Sequence, residues 1–122
     1  MSLSYDLGVK GEQKAVELLL SKGYCIIKRN YRYEKAEVDI ICQIGNDLVF
    51  VEVKTRSTDF FGDPADSVGH KKIKMLAMAA DHFVKDFKLN LEVRFDIISV
   101  IYSDSNLVID HIENAFYPFE NL

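Results

Sequence analysis

The stretch that most constrains this chain runs from Glu37 to Lys54, where two aliphatic runs flank the pair Gly45-Asn46. Their alternation marks both runs as strands, and a Gly-first pair suits a tight two-residue hairpin turn. In that register Ile44 faces Asp47, and counting outward places Asp39 opposite Glu52 and Glu37 opposite Lys54. Side chains alternate along a strand. Glu37, Asp39, Glu52 and Lys54 are therefore expected on one face, with Val38, Ile40, Cys42, Val49, Val51 and Val53 on the other. A four-residue loop with the same centre preserves this arrangement, whereas a three-residue loop destroys it.

Carboxylates facing each other across a ladder stand about 4.5 to 5.5 Å apart at Cβ and destabilise the pair. Lys54 supplies one compensating charge. A divalent cation held by Asp39 and Glu52 would supply the rest, and an all-oxygen ligand set favours Mg²⁺ or Mn²⁺. Such an ion polarises a phosphoryl group and lowers the pKa of attacking water. An adjacent ammonium orients that water or stabilises charge on the phosphate oxygens. Asp39, Glu52 and Lys54 are thus the candidate catalytic residues of a phosphodiester hydrolase. The competing reading is an exposed sheet face laced by cross-strand salt bridges. Glu-x-Lys alone carries nothing, because Glu12 and Lys14 repeat it on a helix where the two do not face each other.

Around this hairpin the chain reads as α/β. Val9, Ala15, Val16 and Leu19 recur at helical spacing before a break at Lys22-Gly23, with Ser4 or Asp6 as cap. Strands are expected over residues 24–33, 37–44, 48–56, 92–102 and 107–112. Asp63-Pro64 signals a second helix, with Asp63 as cap, running to Lys85 or Lys88. Its buried stripe would be Ile73, Leu76, Ala77, Ala80, Phe83, Val84 and Phe87. The order is helix, three strands, helix, two strands, which fits a single domain with a central mixed five-stranded sheet flanked by helices. Met75, Met78 and Ala79 project from the side opposite the stripe, and either a neighbouring loop or a second copy of the chain would cover them, so a homodimer is an expectation.

The chain of 122 residues carries a net charge of −4, which argues mildly against a nucleic-acid partner. The average hides three basic segments: Lys28, Arg29, Arg32 and Lys35; Lys54 and Arg56; and His70, Lys71, Lys72 and Lys74. Brought to one side they would form a basic face for phosphates. Cys25 and Cys42 each lie in an apolar run and are expected in the core rather than in a disulfide. No stretch approaches the roughly 20 apolar residues of a membrane span, and the N-terminus does not read as a secretory signal, so a cytoplasmic protein is expected.

Asp39 on one strand and Glu52-Val53-Lys54 on the next resemble the core of the PD-(D/E)xK nuclease superfamily. Gly8-x-x-Gly11-Glu12-x-x-Ala15, Arg29-Asn30-Tyr31-Arg32, Ala36-Glu37-Val38-Asp39-Ile40-Ile41, Phe50-Val51-Glu52-Val53-Lys54-Thr55-Arg56, Arg94-Phe95-Asp96 and Ile112-Glu113-Asn114-Ala115-Phe116 together resemble the YraN family of bacterial proteins. That family is similar in turn to archaeal Holliday junction resolvases. The resemblance implies the restriction-endonuclease-like fold, a nucleic-acid substrate, Asp39 and Glu52 as metal ligands and Lys54 as the catalytic lysine. Glu12 matches the first-helix acid that approaches the metal site in the resolvases, or is an ordinary helix-surface acid. Gly11 and Ala15 would let the first helix lie close to the sheet. Arg56 either contacts a backbone phosphate or is a surface arginine, and Lys28, Arg29, Arg32, Lys71 and Lys72 are the other candidate phosphate contacts. The family usually has Gly where this chain has Ala36, and often Gln where it has Ile73.

Thr58 to Asp63 could form a loop whose Phe60 and Phe61 stack on bases, although paired Phe residues more often anchor a loop to the core. His70 sits in the lysine cluster, His82 and His111 lack metal-ligand spacing, and none of the three suits a zinc site. The function classes that survive are a Mg²⁺-dependent endonuclease acting on DNA, including branched DNA, a non-catalytic nucleic-acid-binding module with the same fold, and a protein-interaction subunit.

Overall fold

The structure, a computed structural model, describes residues 3–57, 68–103 and 106–117, with side chains from residue 6 onward. The expected element order is present: α1 (Leu3–Ser21), β1 (Cys25–Tyr33), β2 (Ala36–Ile44), β3 (Asp47–Ser57), α2 (His70–Asp86), β4 (Glu92–Ser103) and β5 (Asn106–Ile112). The strands form one sheet in sequence order, antiparallel except for β3 and β4, which run parallel. A parallel neighbour requires a crossover, and α2 lies in that connection.

Each face of the sheet carries one layer of core. On one, Leu48, Phe50, Phe95 and Ile97 pack with Leu76, Ala79, Ala80 and Phe83 of α2. On the other, Val49, Val51, Ile98 and Val100 pack with Ala15, Val16 and Leu19 of α1. The alternation of β3 and β4 thus feeds both layers. Among the described residues no helix is long and apolar enough to cross a membrane.

Close packing of α1 depends on Gly11, because a Cβ placed there would stand 2.0 Å from Thr55 Oγ1 and 3.1 Å from Thr55 Cβ on β3. The expected small-residue contact is therefore present. The hairpin is also as expected: Ile44 pairs with Asp47, and Gly45 takes the positive φ of 56° that the turn demands.

Several expectations fail. The second helix starts at His70 with Gly69 as its N-cap, so Val68 and Gly69 are not helical as a start at Pro64 would require. Asp63, Pro64 and the segment 58–63 lie outside the described residues. Helix α1 already includes Ser4 and Asp6, so neither is a cap before the helix. Val9 and Phe87 are exposed, whereas Ala79 is buried and belongs to the stripe it was expected to oppose. Two consecutive small residues, Ala79 and Ala80, let this helix approach the sheet on a broader face than the spacing of large side chains indicates. Met78 alone of the three remains fully outward; Met75 is partly buried against the core. Cys25 is exposed at the start of β1, and only Cys42 is in the core.

A polar cluster anchors the far end of the sheet. Asp96, completely buried, accepts hydrogen bonds from Arg94 Nε (3.0 Å), Arg94 Nη2 (2.8 Å) and the Asn114 N–H (3.1 Å), and lies 2.7 Å from His111 Nε2. Arg94 also donates to the Tyr24 hydroxyl at 2.5 Å. Burial opposes the Asp96 charge, but these donors overcome it and hold the carboxyl below its ordinary pKa. The Arg94-Phe95-Asp96 motif is therefore structural: it ties β4, β5 and the turn after β5 to the start of β1.

Candidate active site

The strands that should carry the acids do not stay paired. The ladder between β2 and β3 runs from Ile44↔Asp47 to Ile40↔Val51 and stops one rung before Asp39 and Glu52. The β1–β2 ladder skips the same place, passing from Arg29↔Ile40 to Tyr31↔Val38 with Asn30 at a φ of 54° between them. A left-handed residue interrupts the pleat. The consequence is visible in the core: Ala36 and Val38 pack with the α2 layer, whereas Ile40 and Cys42 pack with the α1 layer. The expectation that Val38 shares a face with Ile40 is thus overturned, because the alternation changes phase at Asp39.

The Asp39 side chain fills the resulting gap. Its Oδ2 accepts the Val53 N–H at 2.8 Å, replacing a strand-to-strand backbone bond with a carboxylate. Its carboxyl also lies within hydrogen-bonding reach of Glu52, so the expected acid pair does meet, though between the strands rather than on a flat face. Glu52 is 4 % exposed. Burial first and the Glu52 charge second push the Asp39 carboxyl up to about 7, against the Val53 hydrogen bond, which favours the ionised form. Lys72, in the first turn of α2, meets Glu52 Oε1 at 2.9 Å. Burial works against the Lys72 ammonium, but the bond to Glu52 and the charges of Glu52, Asp39 and Glu37 hold its pKa above the ordinary value. Glu52 Oε2 is buried and finds no donor when both acids are ionised. What the pair lacks is a proton shared between carboxyls, or a cation in its place.

A cleft of about 710 Å³ opens beside the gap, lined by Gly8, Val9 and Glu12 of α1, Asn30 and Arg32 of β1, Glu37 and Asp39 of β2, and Val53, Lys54 and Thr55 of β3. Asp39 and Lys54 both line this opening, whereas Glu52 does not and meets Lys72 of α2 instead; Glu52 and Lys54, two apart on the unbroken β3 ladder, stand on the same side of that strand. Glu12 also reaches the cleft, but Arg29 holds it through Nε and Nη2, both 3.3 Å from Oε1. Arg32 Nη2 meets Glu37 Oε2 at 3.1 Å. Three expected phosphate contacts, Arg29, Arg32 and Lys72, are thus engaged by acids of this site. Lys28 lies over the Tyr31 ring at 5.8 Å, and Lys71 is exposed. Among the described residues no three His, Cys, Asp or Glu side chains converge as a metal cage, so any cation here would rely on Asp39 and Glu52 together with water or phosphate oxygens.

Residues 11–100 match the family model described as Uncharacterised protein family UPF0102. The chain belongs to the UPF0102 family. It is 52% identical to a UPF0102 protein of Christiangramia forsetii, covering 93% of this chain and 96% of that one. A UPF0102 protein of Flavobacterium psychrophilum is 49% identical over the same shares, and one of Bacteroides thetaiotaomicron 48% over 93% of each chain. Similarity over nearly the whole length bears out the YraN resemblance at the level of the family.

The matched UPF0102 region contains the Asp39, Glu52 and Lys54 signal, and two features of the structure lie beyond what sequence reasoning finds. One is the contact of Lys72 with Glu52, which joins residues 20 positions apart and has no local pattern. The other is the Asp96 cluster; its available signal was Arg94 and Asp96, two charges at alternate positions on the same side of β4 as core residues Ile98 and Val100.

Proposed function

We propose that this chain is a Mg²⁺- or Mn²⁺-dependent endonuclease of the PD-(D/E)xK superfamily, with the restriction-endonuclease-like fold and a relationship to archaeal Holliday junction resolvases. It acts in the cytoplasm on DNA, including branched DNA, and a homodimer would present two sites. The observation that carries this reading is the pair of half-buried Asp39 and buried Glu52, held together where β2 and β3 part and short of one positive charge. A fold has no structural need for such a pair, since an uncompensated acid cluster costs stability. Functional sites are where that cost is accepted.

The fit to a divalent cation rests on the same geometry. Asp39 and Glu52 would hold it with oxygen donors, and it would supply Lewis acidity toward a phosphoryl oxygen and a lowered pKa for bound water. The Val53 N–H holds Asp39 Oδ2 in place, and Asp39 lines the cleft. Lys54, which lines the cleft, would supply an ammonium to neutralise charge developing on phosphate oxygens. Strand β3 supplies both Glu52 and Lys54, and its parallel pairing with β4 through residue 57 keeps their spacing rigid.

A second reading, a module that keeps the fold without turnover, is favoured by the pairing of Arg29, Arg32 and Lys72 with acids, which leaves a weaker cationic field for DNA. The test is Mn²⁺ and Mg²⁺ titration of the wild type and Asp39→Asn, followed by incubation with linear, forked and four-way DNA. Saturable metal binding weakened by the substitution, and metal-dependent cleavage abolished by Lys54→Ala, are expected. Metal binding without cleavage of any substrate supports the second reading; absence of saturable metal binding overturns both the metal centre and the nuclease.

A further inference from the structure

We infer that Lys72 is the resident counter-ion of the acid pair and competes with a divalent cation for it. This rests on the metal-site reading given above, and concerns how the site is regulated. The contact that carries it is the 2.9 Å ion pair between Lys72 Nζ and Glu52 Oε1. Glu52 is almost wholly buried, while the Lys72 side chain is 45% exposed. The charge that neutralises the acids therefore enters from solvent on a flexible stem.

The position of the lysine matters as much as its charge. Lys72 comes from α2, not from the strands that hold the acids, and it borders a second cavity of about 280 Å³ lined also by Lys35, Glu37, Met75 and Leu76. The ammonium can swing into that space without unfolding either element. Lys54, by contrast, lies two residues from Glu52 on the same strand and lines the first opening, with Asp39. A cation arriving between Asp39 and Glu52 has to displace the Lys72 charge from the pair or share Glu52 with it, since two positive centres on one carboxylate repel.

Removing the ammonium while keeping the stem isolates this effect. Mn²⁺ alone is titrated calorimetrically into the wild type, Lys72→Met and Lys72→Arg, with Lys72→Gln as a second neutral variant and circular dichroism as the check on folding. Lys72→Met and Lys72→Gln are expected to bind Mn²⁺ about fivefold more tightly, the ratio set by loss of a pair with one end in solvent. Lys72→Arg, which restores the charge, is expected to return the affinity to the wild-type value, a rescue that a purely structural role would not produce for a metal affinity. Binding seen only in the neutral variants also supports the inference. Equal or weaker binding in folded neutral variants, with saturable binding in the wild type, overturns it and leaves the metal site standing. No binding in any of the proteins overturns both.

Discussion

Two glycines on α1 allow the packing argument to be tested with an internal control. Gly8 and Gly11 lie one turn apart in the same helix; a Cβ at Gly8 meets nothing within 4 Å, whereas one at Gly11 would stand 2.0 Å from Thr55 Oγ1. Replacing Gly by Ala inside a helix gains roughly 0.8 to 1 kcal/mol from backbone entropy. At Gly8 nothing opposes that gain, so Gly8→Ala should stabilise by about that amount. At Gly11 the Thr55 side chain is β-branched and stiff, and rotating its hydroxyl away still leaves Thr55 Cβ at 3.1 Å, so helix and strand must move apart. Overpacking of this kind costs about 1 to 3 kcal/mol, and Gly11→Ala should therefore be net destabilising by up to about 2 kcal/mol. Thermal or urea unfolding followed by circular dichroism would read the pair, with shifts of roughly 3 to 6 °C per kcal/mol for a domain of this size. If Gly11→Ala stabilises the protein as much as Gly8→Ala, helix α1 does not rest on Thr55 and the architecture of the cleft wall is wrong.

Asp39→Asn should stabilise the protein above neutral pH, on the order of 2 kcal/mol at pH 8, because it keeps an acceptor for Val53 N–H while removing one of two close charges. The sign follows from a folded-state pKa raised from 3.8 to about 7: the folded state binds the extra proton, so wild-type stability falls as pH rises through that window, and urea titrations from pH 5 to 8 should show the slope disappear in the variant. Asp96→Asn should destabilise by about 3 kcal/mol or more at pH 7, since it leaves Arg94 without its buried partner. Because the folded Asp96 pKa is lowered, its contribution is fully present above the ordinary 3.8 and is lost as acid takes the pH below it; acid unfolding of the variant should lack that component. Under native conditions a disulfide exchange reagent should modify one thiol quickly, the exposed Cys25, because burial pushes the Cys42 thiol up to about 12; both should react in denaturant, and rapid double labelling of folded protein would contradict the core assignment.

Strand identity and order were legible because hydrophobic alternation and turn residues are local. The hairpin register followed from Gly45-Asn46 and holds for five rungs. It then fails at Asp39, where counting assumes an unbroken pleat and the chain instead changes phase opposite Asn30. Even so, the acids meet, because the Asp39 side chain moves into the space that the broken ladder creates. Helix α2 departs from its sequence pattern at both its start and its faces: Gly69, not Asp63-Pro64, is its boundary, and Ala79 turns inward because a small side chain fits a close contact. Sequence alone places Lys72 among the phosphate contacts, because nothing in a linear reading brings the first turn of α2 to the middle of β3.

The left-handed turn at Asn30 has a consequence for how the chain behaves at high concentration. Strand β1 ends the sheet on one side, and an unpaired rim of backbone amides normally invites a neighbouring molecule to add its own strand. Here a left-handed residue interrupts that rim in mid-course, so a second chain cannot zip along it without breaking register. The distortion that makes room for Asp39 thereby also guards the protein against fibrous self-association.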